Sequence, residues 1–108
     1  MVSQYLLIAG GTIFSILGLL HAIYTICDVY RPKRLAPIEQ AVIDQMAAAG
    51  VRLANGRTNM WDAWLGFNIS HGLGTLMFGL ICIGAGVFAR SVALPAALLI
   101  PVLVGAIY

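Results

Sequence analysis

The chain has 108 residues, of which 61% are hydrophobic and only 9% are charged, and its mean hydropathy is +0.96. Soluble domains carry about 25% charged residues, so this composition excludes an ordinary soluble domain and indicates a lipid bilayer as the main solvent. The net charge of +2, without a run of lysine and arginine, gives no support to a nucleic-acid partner.

The charged residues are concentrated in one internal segment. All four acidic residues and five of the six basic residues lie between positions 28 and 62, and only Arg90 lies outside. Two charge-poor blocks therefore flank one polar insert within a single membrane domain, residues 1–108. Cys27 and Cys82 are expected near opposite membrane faces, too far apart for a disulfide, and are interpreted as small apolar side chains.

Three apolar segments are candidates for transmembrane helices. Residues 5–27 contain no charged side chain, and about 20 apolar residues suffice for a helix to cross the hydrocarbon core. The uncharged segment 63–89 predicts a second span, and 92–108 predicts a third after a short turn at Arg90. Pro101 in the third is tolerated where neighbouring groups satisfy the freed carbonyl. We therefore predict an all-α transmembrane bundle of three spans, or three of an original four.

The polar insert, residues 28–62, is expected to hold one amphipathic surface helix over about 37–49. Pro37 suits the first helical position and Gly50 the position after the last. Apolar side chains recur every four residues between them, at Ile38, Val42 and Met46. Asn55-Gly56 then predicts a turn. Lysine and arginine are retained on the cytoplasmic side, so the insert is predicted to be cytoplasmic, with the N-terminus outside.

The first predicted helix has a polar face centred on His21. A helix advances about 100° per residue, so Tyr24 and Thr25 fall within about 60° of His21 around the axis. Gly18 and Asp28 fall on the same side, whereas the opposite side is mainly isoleucine and leucine. This stripe predicts a face that contacts protein rather than lipid.

The second predicted helix has a matching polar face centred on His71. Trp64, Asn68 and Thr75 fall within about 60° of His71 around the axis. Counted from the insert, His21 and His71 lie roughly 10 and 13 Å into their helices. Antiparallel packing is therefore expected to bring the two imidazole rings to nearly the same level of the membrane.

Three interpretations of this histidine pair stay open. In the first, each imidazole forms a hydrogen bond with a neighbouring helix, as polar side chains commonly do in membranes. In the second, His21 and His71 are the two axial ligands of haem b or bind a pigment. The pocket would then be lined by five side chains: Tyr24, Thr25, Trp64, Asn68 and Thr75. In the third, ionisable groups in the membrane mark a transporter or a proton conduit.

Other site chemistry finds little support in the sequence. A zinc site requires three or four ligands, and the two histidines have few candidates to complete such a set, so no metal site is predicted. The Ser70-His71 pair has no third triad member and no oxyanion hole, so no catalytic residue is predicted.

The segment from Thr58 to Gly74 resembles a family of small bacterial multi-span integral membrane proteins. The resemblance rests on a W-x-G-F-N-x-S-H-x-x-G pattern, formed by Trp64, Gly66, Phe67, Asn68, Ser70, His71 and Gly74. It implies a first helix, a proline-containing cytoplasmic loop and four spans. The family has no assigned activity, so the resemblance bears on fold and membrane location alone, and the location it implies is a bacterial inner membrane.

Together these features predict a non-enzymatic accessory or packing subunit of a larger membrane assembly, or a homo-oligomer. Three short spans make a poor isolated core, and small residues let helix backbones approach closely. Six glycines are interpreted in this way: Gly10, Gly11, Gly18, Gly72, Gly74 and Gly79. The alternatives are a bis-histidine electron-transfer protein that binds haem or a pigment, and a small transporter or proton conduit.

Overall fold

The computed structural model of the chain describes residues 2–88 and Leu103. Residues 2–88 form three α-helices and one short 3-10 turn, in the order α1 (Val2–Tyr30), α2 (Gln40–Ala48), the turn (Arg52–Ala54) and α3 (Met60–Phe88). No strand is found in this part of the chain, where Gly50 and Asn59 form an isolated antiparallel bridge. The predicted all-helical fold class is confirmed.

Helices α1 and α3 are each long and apolar enough to cross a membrane. Each has 29 residues, which corresponds to a length of about 43 Å. Helix α1 extends three residues beyond each end of the predicted segment 5–27, and α3 begins three residues before the predicted segment 63–89. The predicted turn at Arg90 and third span, 92–108, lie outside the described residues apart from Leu103.

Helix α2 is shorter than predicted and buries a different side chain. It begins at Gln40 instead of Pro37 and ends at Ala48. The preceding residue, Glu39, has an extended backbone, and its side chain forms no cap hydrogen bond. Ile38 therefore precedes the helix and is 97% exposed, whereas Ile43 is the buried residue of α2. The prediction that Ile38 belongs to the apolar face of this helix is therefore wrong.

The chain divides into two compact units, and both long helices contribute to each. The first, here called the terminal unit, comprises residues 2–20 and 71–88 of the described chain. The second, here called the loop unit, comprises His21–Ser70. The two histidines thus belong to different units, His21 to the loop unit and His71 to the terminal unit.

In the terminal unit, α1 and α3 run antiparallel and their backbones meet at glycines. A Cβ atom built on Gly11 would lie 2.6 Å from the carbonyl oxygen of Gly79, and one built on Gly79 would lie 2.5 Å from the carbonyl oxygen of Gly11. A Cβ atom built on Gly18 would lie 2.7 Å from the carbonyl oxygen of Gly72. Any larger residue at these positions would force the helices apart.

The glycines of this contact repeat every seven residues. Gly11 and Gly18 are buried on α1, and Gly72, Gly79 and Gly86 are buried on α3. A seven-residue repeat keeps one face of a helix against its neighbour and is typical of left-handed helix pairs. We call the contact formed by these five residues the glycine seam.

Two further contacts accompany the glycine seam. The rings of Phe14 and Phe78 meet edge to face, with their centroids 5.1 Å apart and their planes at 79°. The Ser15 hydroxyl is buried beside Gly79 and has no hydrogen-bond partner among the described residues. The glycine seam is therefore close-packed, and van der Waals contacts hold its two helices together more than hydrogen bonds do.

Candidate functional site

The polar centre of the loop unit is a hydrogen bond between the side chains of His21 and Asn68. The His21 Nε2 atom lies 3.0 Å from the Asn68 Oδ1 atom. The Asn68 Nδ2 atom donates to the Trp64 carbonyl oxygen at 2.8 Å, and this bond fixes which end of the amide faces His21. Because the Oδ1 atom can only accept, His21 donates from a protonated Nε2.

Asn68 is well placed for this role because it belongs to the buried face of α3. Its side chain is 6% exposed, and buried amide groups require partners for both their oxygen and nitrogen atoms. Both requirements are met, by His21 and by the carbonyl of Trp64 one helical turn earlier. These two hydrogen bonds explain how the polar side chain of Asn68 can be buried in an apolar helix.

The two threonines of the predicted polar faces bond to their own helices. The Thr25 hydroxyl donates to the His21 carbonyl oxygen at 2.9 Å, and the Thr75 hydroxyl donates to the His71 carbonyl oxygen at 2.8 Å. Such bonds to the preceding turn allow a hydroxyl to be buried in a helix. Thr25 is accordingly only 2% exposed.

Two aromatic residues of the predicted pocket lie at the edge of the loop unit. The Arg34 guanidinium lies over the Tyr24 ring, 4.9 Å from its centroid, within the range of a cation–π interaction. Both side chains are partly exposed, Tyr24 at 36% and Trp64 at 37%.

His71 is half-buried in the terminal unit. Beside it, the Ser70 hydroxyl donates to the Phe67 carbonyl oxygen at 2.9 Å. The idea that His71 and His21 share one level, or one ligand, stays a prediction.

Asp28 is the most elaborately bonded side chain of the loop unit, and its role was missed by the sequence reasoning. It lies in the last turns of α1, is 2% exposed and accepts hydrogen bonds from four successive backbone amides. The Oδ1 atom accepts from Lys33 at 3.0 Å and Arg34 at 2.9 Å. The Oδ2 atom accepts from Leu35 at 2.7 Å and Ala36 at 3.0 Å.

This arrangement explains how the chain leaves α1. The amide of Arg31 still donates to the Cys27 carbonyl oxygen, at 2.8 Å, but Pro32 has no amide hydrogen and ends the helical pattern. The chain then curls around the Asp28 carboxylate, which stabilises the loop by charge-assisted hydrogen bonds. The sequence signal for this loop was the acidic residue Asp28 followed by a short segment bounded by two prolines, Pro32 and Pro37.

The start of α3 is fixed by a second polar pair. The Asn59 Oδ1 atom accepts from the Asp62 amide at 2.8 Å, which is the N-cap bond expected of asparagine. The Asn59 Nδ2 atom donates back to the Asp62 carboxylate at 2.9 Å. This reciprocal pair starts α3 at Met60 and defines the orientation of the residues that follow.

The polar side chains of this site form hydrogen bonds with one another and with the backbone, and they are not arranged as a set of metal or haem ligands. Among the described residues no group of three or more histidine, cysteine, aspartate or glutamate side chains could hold a metal ion. Cys27 is exposed, Cys82 is buried and both are free thiols. A haem iron would need an unprotonated ring nitrogen, and ligation through the Nε2 atom of His21 would break its bond with Asn68.

No family model, curated protein or solved structure matches this chain.

Proposed function

We propose that this chain is a small integral membrane protein with a non-catalytic role, as an accessory or packing subunit of a larger membrane assembly or as the protomer of a homo-oligomer. The observation that carries the proposal is the contrast between the two sides of the long helices. Only 17% of the most apolar stretch of α1 and 28% of that of α3 are buried. The remaining surface requires lipid or protein around it.

The outer surface consists of large apolar side chains. Examples are Leu17 on α1, which is 55% exposed, and Met77 on α3, which is 61% exposed. Small residues and buried polar groups, by contrast, occupy the contact between the helices. In a membrane this division supports a protein that uses its own glycine seam internally and offers its outer faces to lipid and to other subunits.

The hydrogen bonds of the polar residues favour packing over the two alternatives. Asn68, Thr25 and Thr75 all donate to carbonyl oxygens of their own helices. A bis-histidine haem site would require His21 to exchange its bond with Asn68 for iron. A proton or substrate pathway would use groups such as Asp28, whose two carboxylate oxygens already accept from four amides.

The predicted topology is part of the same proposal. Five of the six basic residues lie in the insert between α1 and α3, which favours a cytoplasmic insert and an external N-terminus in the inner membrane of a bacterium. The resemblance to small bacterial multi-span membrane proteins is in keeping with this location.

The proposal is tested by the mass of the particle that contains the protein. The full chain, tagged at one terminus, is extracted from its native membrane in a mild detergent, and its mass is measured by native mass spectrometry. We expect a particle larger than one chain, with either a defined copy number or a reproducible second subunit. A monomer without any co-purifying subunit contradicts the proposal.

Matched substitutions make this test specific for the outer faces. Leu17→Ala and Met77→Ala should shift the particle towards the monomer while Cys82 stays protected from thiol reagents, because neither side chain is part of the glycine seam. An absorption spectrum of the same preparation, from cells replete in haem, tests the electron-transfer alternative. A haem band that disappears in His21→Ala would replace our proposal by that alternative.

A further inference from the structure

One exposed turn of the loop unit combines a large apolar side chain with two arginines. Residues 50–59 form a closed turn between α2 and α3, here called the 50–59 turn. Leu53 is 97% exposed on it, and Arg52 and Arg57 are exposed as well. The turn thus presents an apolar side chain flanked by two cationic side chains, the combination that binds a membrane surface through both apolar burial and charge.

The backbone of the 50–59 turn is closed by hydrogen bonds. The Val51 amide donates to the Thr58 carbonyl oxygen at 3.0 Å, and the Gly56 amide donates to the Val51 carbonyl oxygen at 3.1 Å. Asn55 and Gly56 adopt positive φ angles of 50° and 74°, which confirms the turn predicted at these residues. Leu53 is therefore presented by an ordered turn.

The turn is tied directly to the first residue of α3. The Met60 amide donates to the Ala49 carbonyl oxygen at 2.8 Å, on the other side of the bridge between Gly50 and Asn59. If α3 crosses the membrane, as the proposed function requires, the turn is held at the level of the lipid headgroups. The inference that follows rests on that part of the proposed function.

The charges near the turn favour an anionic surface over a neutral one. The 50–59 turn itself holds two arginines and no acidic residue. The five basic side chains of the insert are all exposed: Arg31, Lys33, Arg34, Arg52 and Arg57. Basic residues next to a membrane span are attracted to anionic lipids.

We propose that the 50–59 turn docks onto anionic phospholipids, with Leu53 inserted among the acyl chains and Arg52 and Arg57 in contact with the headgroup phosphates. Charge complementarity and the short tether to α3 identify lipid as the occupant. Ile38, which is also 97% exposed, provides a second apolar side chain on the same insert.

The test measures how well lipid protects position 53 from a thiol reagent. The full chain carrying Cys27→Ser, Cys82→Ala and Leu53→Cys is reconstituted into vesicles of phosphatidylcholine, with or without phosphatidylglycerol. The modification rate by membrane-permeable N-ethylmaleimide is then measured. Gln45→Cys, at an exposed position of α2, serves as the reference because surface potential affects both thiols alike.

We expect phosphatidylglycerol to slow modification at position 53 relative to position 45. Each basic residue near an anionic surface contributes about a factor of five in binding, so two arginines allow up to about 25-fold. High salt and the variant with Arg52→Gln and Arg57→Gln should both remove the effect. The variant with Arg52→Lys and Arg57→Lys should retain it.

Two outcomes overturn the inference alone, and a third overturns the proposed function together with it. Equal rates with and without phosphatidylglycerol show that anionic lipid does not cover Leu53. Protection that rises with the protein-to-lipid ratio, in neutral vesicles, shows that a second copy of the chain covers it. A protein that fails to float with the vesicles after an alkaline wash contradicts membrane integration itself, and with it both proposals.

Discussion

Replacing Gly11 by alanine is expected to open the glycine seam, whereas the same change at the neighbouring Gly10 is not. A Cβ atom on Gly11 would lie 2.6 Å from the Gly79 carbonyl oxygen and 2.9 Å from the Ile83 amide nitrogen. These are backbone atoms of α3 and cannot move aside without moving the helix. Around Gly10 no described atom beyond its own stretch of α1 lies within 4 Å of the added carbon.

The expected difference in free energy follows from this geometry. Insertion of a methyl group into a close-packed contact costs about 1–3 kcal/mol. Exchange of glycine for alanine within a helix contributes up to about 1 kcal/mol of stabilisation, but this gain is common to both positions. The two variants should therefore differ by about 1–3 kcal/mol, which corresponds to about 5-fold to 150-fold in the opening equilibrium of the seam.

Cys82 offers a native reporter for this measurement. Its side chain is 6% exposed and belongs to the terminal unit together with Gly11. With the exposed Cys27 replaced by serine, the rate of modification by N-ethylmaleimide in detergent micelles reports how often the seam opens. Gly11→Ala should accelerate the reaction, and Gly10→Ala should leave it unchanged or slow it. Equal rates in the two variants would refute the close backbone contact at Gly11.

Four further predictions concern stability, measured as thermal unfolding followed by tryptophan fluorescence in mild detergent. Asp28→Asn should destabilise by about 2–6 kcal/mol, since its amide nitrogen cannot accept from two of the four amides; an unchanged unfolding temperature would contradict this role. His21→Ala and Asn68→Ala should show a coupling of about 0.5–2 kcal/mol in a double-mutant cycle, and strict additivity would argue against their bond. Asn59→Ala should cost about 0.5–2 kcal/mol by loss of the N-cap, most of which Asn59→Ser should restore. Ser15→Ala should be neutral or stabilising by about 1 kcal/mol, because the buried hydroxyl makes no described hydrogen bond, whereas a clear loss of stability would reveal a partner.

The two long helices could be predicted from the sequence because length and apolar composition are local properties. An uncharged segment such as 5–27 is visible without any knowledge of what it packs against. The helix ends were less predictable. Helix α2 was expected at Pro37 from a positional preference, but it begins at Gln40, after Glu39, whose side chain forms no cap hydrogen bond.

The bonds of the polar residues required knowledge of distant parts of the chain. The helical wheel placed His21 and Asn68 on the polar faces of two helices, but a wheel does not tell which side chains of two different helices pair. The seven-residue spacing of the glycine seam was a signal in the sequence for the contact within the terminal unit. The sequence reasoning instead grouped glycines by composition and included Gly10, whose added carbon would meet no described atom within 4 Å beyond its own stretch of α1.

The residues that face inward change character along each long helix. On α1, the buried positions are glycine at 11 and 18 and then Ala22, Thr25 and Asp28 towards the loop. On α3, Asn68 near the loop is followed by buried glycines and Cys82. The apolar end thus relies on close backbone packing, and the loop end on hydrogen bonds.

This division limits where a partner can bind. If the chain is a subunit of an assembly, as we propose, a partner would bind the large apolar side chains of the outer faces, because the glycine seam already occupies the inward positions of the terminal unit. Substitutions at Leu17 or Met77 should then weaken assembly without exposing Cys82, whereas substitutions at Gly11 should expose Cys82 first. If both classes of variant lost assembly and protection together, assembly would depend on the seam itself, and the outer faces would be left with lipid alone.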